Sequence, residues 1–122
     1  MSASGESAAA IIDDDPAVLD SLRFLLEVAG YRVTAYASAA AFLAGGQPWP
    51  ECLILDHHMP QMTGLDLVAR LREAGITARI MLITASYSAA IGERAAELGV
   101  VKVLEKPPSE EDLLDFVAAR DR

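Results

Sequence analysis

Cys52-Leu53-Ile54-Leu55-Asp56-His57-His58-Met59-Pro60 is the stretch from which the rest of this 122-residue chain is read. Four residues suited to a buried strand run without polar alternation into an acid, and Pro60, two residues after His58, stops any continuation. An unbroken apolar strand is covered on both faces, as in a parallel sheet, and open α/β sheets bind their ligands at the C-terminal tips of such strands. An Asp at that place is also ordinary turn chemistry. What Asp56 does therefore depends on the groups that arrive beside it.

The flanking chain supplies four more strands. Residues 8–12 are apolar and run into Asp13-Asp14-Asp15. Asp15-Pro16 predicts a helix start, with Asp as N-cap and Pro in the first turn; the helix runs to about residue 29 and Gly30 closes it. Val18, Leu22, Leu25 and Ala29 are its expected core stripe, with Ala17, Ser21, Phe24 and Val28 as a second, flanking strip. Residues 32–36 alternate as a strand, Ser38 caps a short helix through residue 44, and Gly45-Gly46-Gln47-Pro48-Trp49-Pro50 is a loop in which Trp49 is the expected anchor.

Beyond Asp56 a helix is predicted over 64–74, with Leu65, Val68 and Leu71 inward and Gly75 as its cap. A strand over 79–84, a helix over 89–98 stopped by Gly99, and a strand over 100–104 follow. Ser109 and Asp112 form a capping-box pattern ahead of a last helix running to about residue 120. Residues 1–7 are small and polar and read as a disordered leader, leaving 8–122 as one domain. Strands alternating with helices, no repeat and no internal linker predict an α/β fold: a doubly wound five-stranded parallel sheet with right-handed crossovers and helices on both faces.

Composition removes several function classes. The formal charge of −8 argues against a nucleic-acid surface and against anionic lipid, both of which need Lys and Arg opposite phosphates. No apolar run approaches the roughly 20 residues of a membrane span. The N-terminus has no basic segment ahead of its short apolar run, so no signal peptide is read there. A single cysteine, Cys52, allows no intrachain disulfide. The expected location is the cytoplasm.

In a parallel sheet all C-terminal ends share one edge. Four strands bring polar groups there: Asp13, Asp14 and Asp15 after the first, Asp56 after the third, Thr84 at the end of the fourth and Lys106 after the fifth. Clustered carboxylates repel unless a cation sits among them, and hard oxygen ligands with open positions suit Mg²⁺, which takes phosphate oxygens as co-ligands. Lys106 is a point cation and Thr84 a hydroxyl donor, both apt for a phosphoryl group. The set reads as phosphoryl transfer with an aspartate as nucleophile.

These residues resemble the receiver domain of response regulators, the phosphoacceptor half of two-component signalling. The resemblance covers about residues 8–120 and rests on Ile12-Asp13-Asp14, Leu55-Asp56-His57-His58-Met59-Pro60-Gln61-Met62-Thr63-Gly64, Thr84-Ala85 and Lys106-Pro107, in family order. It implies that Asp56 is phosphorylated from a phosphohistidine on a sensor histidine kinase or a histidine phosphotransfer protein. It implies Mg²⁺ bound by Asp14, Asp56 and the His58 backbone carbonyl, with Asp13 acting through a metal-bound water. Lys106 would pair with the phosphoryl oxygens, Thr84 would move to hydrogen-bond them, and the Lys106-Pro107 peptide is often cis. His58, two beyond the acceptor, would modulate hydrolysis of the phosphorylated Asp56, with Ser86 as its counterpart after Thr84. Phe24 lies on the helix where receivers dock their kinases.

One position departs from the family. Receivers usually carry Tyr or Phe three residues before the lysine, as a switch on the output face; here it is Val103. Tyr87 is the candidate substitute. The chain ends after the last helix, which reads as a stand-alone receiver acting as shuttle, sink or partner-binding switch, or as a piece cut from a longer regulator. The main alternative is a phosphorylation-independent protein-interaction module on the same fold, which Val103 favours and the complete acid, Thr and Lys set disfavours. A flavodoxin-like carrier would want a glycine- or hydroxyl-rich loop where three aspartates stand. An Mg²⁺-dependent phosphatase would want a carboxylate where His58 stands. Adjacent residues in an extended chain point opposite ways, so His57 and His58 are not expected to chelate a metal.

Overall fold

In the computed structural model, which describes residues 9–45 and 48–119, the strand β3 (Cys52–Asp56) lies at the centre, and all five of its residues are buried. β1 (Ala9–Ile12) and β4 (Arg79–Thr84) flank it, with β2 (Val33–Tyr36) and β5 (Lys102–Glu105) at the edges. The order is β2-β1-β3-β4-β5 and every pairing is parallel, with Ile12 opposite Leu55, Asp56 opposite Ile83 and Thr84 opposite Glu105. The doubly wound sheet is therefore present as expected. The proposed leader at residues 1–7 lies outside the described residues, as does Arg120.

Strand alternation sorts the core into two layers. Ala9, Ile11, Cys52, Ile54, Met81 and Ile83 face the helices α1 (Pro16–Val28) and α5 (Glu110–Ala118). Ala10, Ile12, Leu53, Leu55, Ile80 and Leu82 face α2 (Ala39–Gly45), α3 (Gly64–Glu73) and α4 (Ala89–Glu97). Because successive side chains leave opposite faces, a strand buried on both must be apolar at every position, as β3 is.

The ends of the helices are set locally. Asp15 accepts from the Ala17 amide at 3.0 Å, and Ser38, Ser88 and Ser109 cap α2, α4 and α5 in the same manner. Ser109 makes its half of the capping box, whereas the Asp112 carboxylate is directed at Lys102, 3.8 Å away. Thr63 and Asp66 close a complete box on α3, a T-x-x-D pattern legible in the sequence. At the other ends a glycine with positive φ is followed by a residue whose amide reaches back five positions: Tyr31 to Leu26, Ile76 to Leu71, Val100 to Ala95.

That motif explains one difference from the sequence reading. Val100 belongs to the α4 cap and Val101 is exposed, so β5 starts at Lys102 and ends at Glu105 rather than spanning 100–104. A second difference concerns α1. Leu26 is its fully buried residue, with Leu19, Leu22 and Leu25 against the core, while Val18 is only half-buried and Ala29, already the C-cap, is exposed. The stripe is rotated toward the 19-22-26 row because those long side chains fill the space over β1 and β2. Phe24 and Val28 are exposed, as the flanking strip requires. Trp49 packs at a 45° tilt against Phe42, whose ring meets Tyr36 edge-on, so the loop tryptophan is an anchor.

Two arginines fasten the end of the sheet away from the acids. Arg72 donates to four backbone carbonyls, Leu98 at 2.8 Å, Ile76 at 2.8 Å, Ala78 at 3.0 Å and Gly99 at 3.3 Å, tying the ends of α3 and α4 together. Arg79 donates to the Phe116 carbonyl and lies 4.5 Å over the Phe116 ring, fastening α5 to β4. Replacing Arg72 by Met leaves helix-end carbonyls unsatisfied and is expected to cost about 2 kcal/mol. Urea unfolding checks this: the midpoint falls with an unchanged slope, and Arg72→Lys, a point cation unable to span four carbonyls, recovers only part of the loss.

Candidate functional site

The sheet reverses its winding between β1 and β3, so the loops leaving these neighbours diverge to opposite faces and open a crevice at their C-terminal ends. Asp13 follows β1 and Asp56 closes β3. Both are buried, at 3% exposure each, while Asp14 between them faces solvent. Carboxylate oxygens of Asp13, Asp14 and Asp56 lie within 4.8 Å of one another.

Lys106, carried past the end of β5, reaches into this cluster. Its Nζ stands 3.1 Å from Asp56 Oδ1 and 3.5 Å from Asp13 Oδ2. The contact with Asp56 is ionic and off-axis, so Oδ1 accepts no aligned hydrogen bond among the described residues although it is fully buried. Burial pulls the lysine toward its neutral form, but its contacts with Asp56 and Asp13 outweigh that and leave its pKa raised. The Asp13 pKa is raised too, there favouring the neutral form: burial lifts its carboxyl above the usual 3.8, with the Asp56 charge adding, against the Asp15 amide at 2.9 Å and Lys106. The Lys106-Pro107 peptide is cis, as the resemblance implies.

Three acids, one of them Asp56 with a buried oxygen that accepts no hydrogen bond, make a donor set suited to a hard divalent cation. The residues present fit such an ion. Beside the cluster, a cavity of about 400 Å³ runs between α1 and α5, with Asp13, Val18, Leu22, Pro107 and Leu113 in its lining.

Thr84 ends β4 fully buried, and its hydroxyl lies 2.7 Å from His58 Nε2. The expected divergence of the two histidines is not what the chain adopts. β3 stops at Asp56, the next residues bend, and the His57 and His58 rings meet edge-on at 5.0 Å. Neither histidine belongs to the candidate metal cluster of three ligands found among the described residues, which is the acid triad. Burial lowers the His57 pKa, with the neighbouring His58 adding to it.

Gly64 is a residue whose role the sequence reading missed, having taken it only as a helix start. A Cβ there would lie 2.7 Å from the Asp56 carbonyl oxygen, 2.8 Å from Leu82 Cδ1 and 3.0 Å from His57 Cα. Only a residue without a side chain lets α3 begin against the end of β3. The His58–Thr84 contact also left no sequence signal, since it joins residues 26 positions apart.

The family model of the response regulator receiver domain matches residues 9–118. The chain belongs to that family. Among the proteins this receiver domain is similar to are the response regulator protein TmoT of Ectopseudomonas mendocina, 42% identical over 92% of this chain and 51% of the relative. Another is the transcriptional regulatory protein FixJ of Azorhizobium caulinodans, 38% identical over 89% of this chain and 52% of the relative. Among solved structures, FixJ-N superposes with a TM-score of 0.84 at 28% identity, covering 94% of this chain and 93% of that one. The chain spans about half the length of the curated relatives it matches. As a receiver domain it is a phosphorylation switch of two-component signalling, and the phosphorylation-independent reading is not favoured. No described helix is long and apolar enough to cross a membrane.

The raised Asp13 pKa gives a signed prediction for the metal-free receiver. A carboxyl whose folded pKa exceeds its unfolded value is neutral in both states at low pH and costs stability once pH rises through the folded pKa. Asp13→Asn is therefore expected to raise Tm by a few degrees at neutral pH, on the scale of about 1 kcal/mol for a domain of this size. Thermal melts in EDTA across pH check the sign: the gain shrinks as pH falls toward 3.8.

Proposed function

We propose that Asp56 is the phosphoacceptor of this receiver and that the phosphoryl group comes from a phosphohistidine on a sensor histidine kinase or a histidine phosphotransfer protein. The carrying observation is a buried carboxylate with the Lys106 ammonium 3.1 Å away and two further acids within ligand reach. In transfer, an Asp56 oxygen forms the new P–O bond as the donor's P–N bond breaks and its electron pair leaves on the imidazole. Lys106 meets the charge on the phosphoryl oxygens and the Thr84 hydroxyl hydrogen-bonds them after transfer. Asp14, Asp56 and the His58 backbone carbonyl would hold Mg²⁺, with Asp13 acting through a water. When bound, the ion screens the acids from the incoming group and stabilises charge on its oxygens.

On this reading the domain assists its own phosphorylation and dephosphorylation and is otherwise no enzyme. It signals from the cytoplasm by changing its surface for a downstream protein or passing the phosphate on, with no role for nucleic acid at its own surface. The −8 charge supports the absence of a nucleic-acid surface. His58, flanking the acceptor, modulates hydrolysis of the phosphorylated state.

Intact-mass spectrometry after incubation with acetyl phosphate and Mg²⁺ tests the acceptor. The wild-type chain gains one phosphoryl group, EDTA abolishes the gain, and Asp56→Asn shows none. A gain that survives in Asp56→Asn places the acceptor elsewhere.

A further inference from the structure

Every hydrogen-bonding position on the Thr84 hydroxyl is used. Oγ1 lies 2.7 Å from His58 Nε2, accepts from the Ser86 amide at 3.2 Å and donates to the Ser86 carbonyl at 3.1 Å. A hydroxyl has one proton and two lone pairs. In the Nε2–H tautomer His58 donates, the Thr84 proton goes to the Ser86 carbonyl and both lone pairs are filled; in the Nδ1–H tautomer the hydroxyl donates to His58 Nε2 instead. None of these bonds goes to Asp56 or Lys106. On β5, Glu105 is paired with Thr84 and Val103 with Leu82, and neither offers a ring to stand behind the hydroxyl.

We propose that His58 is a latch on Thr84: a positioning residue that holds the hydroxyl in its resting place and thereby sets how readily the domain switches. The proposal rests on Asp56 being the phosphoacceptor. It differs from an effect of His58 on hydrolysis, because it acts on the resting state and through Thr84 rather than on the phosphoryl group. A phosphoryl oxygen is a stronger acceptor than a backbone carbonyl, so it can draw the hydroxyl across, but only as the bonds to His58 and Ser86 are given up. Ser86 spends both its amide and its carbonyl on Thr84, so the same displacement releases the segment carrying Tyr87. Tyr87 is held through its amide on Glu105 Oε2 at 3.0 Å, and its hydroxyl sits in a notch at Gly92 that any side chain there would fill. His58 is thus connected to the exposed Tyr87 without an aromatic residue at position 103.

The test measures binding of beryllofluoride with Mg²⁺ by amide NMR, which reads the switched state without hydrolysis. His58→Ala is expected to bind about fivefold more tightly, the factor released by one neutral hydrogen bond. His58→Gln, whose amide nitrogen can donate to Thr84, recovers part of the wild-type value. In a Thr84→Ala background, His58→Ala changes nothing further. An equal change in both backgrounds, or unchanged affinity in His58→Ala, overturns the latch. Independently, the Ser86 amide resonance of the unliganded protein shifts in His58→Ala and moves back in His58→Gln; a stationary resonance also overturns it. Binding that persists in Asp56→Asn overturns the acceptor reading and the latch with it. The Ser86 resonance keeps the two failures apart, since it is read without any ligand.

Discussion

Two carboxylates on neighbouring strands, each almost wholly removed from water, cannot both stay charged without a cation between them. Lys106 is that cation, 3.1 Å from Asp56 and 3.5 Å from Asp13. One positive charge against two buried acids, with Asp14 beside them, leaves the cluster under-neutralised. That imbalance is what a divalent ion would correct. The rest of the molecule holds the three groups in this relation. The parallel register places Asp56 opposite Ile83, and the reversal of winding at β1 and β3 keeps helices from covering the crevice.

Close approach is the second constraint. The start of α3 touches the backbone of Asp56 and His57 through Gly64, and its capping box fixes the turn that follows β3. The acid's position is thus determined by main-chain contacts on both sides of the strand end, with the His57 amide on the Ile83 carbonyl at 2.8 Å completing the hold. A carboxylate built this way has little freedom to turn away from the Lys106 ammonium.

What the sequence made legible follows from the range over which each signal acts. β3 and β4 are unbroken apolar runs bounded by polar residues, so their limits are readable residue by residue. β5 is misplaced by two residues because Val100 and Val101 look like strand but serve a helix cap, a difference that turns on the φ of Gly99. The α1 stripe is turned because helical spacing fixes a set of faces and only the sheet selects among them; Leu26 lies one step from the expected Leu25. The acids, Thr84 and Lys106 stand at strand ends, and a parallel sheet makes those ends coincide. His58 against Thr84 has no such rule behind it, since it depends on a bend after Asp56 and on a side-chain rotamer.

The arginines give the sheet two unlike ends. At the N-terminal end of the strands, Arg72 and Arg79 gather helix-end carbonyls of α3, α4 and α5, where the negative ends of the helix dipoles also favour positive charge. At the C-terminal end, the bonds around Thr84 are few, local and exchangeable. Cohesion and responsiveness are thereby assigned to different poles about a strand's length apart. The side chains that gather the helix ends are not the ones hydrogen-bonded around Thr84.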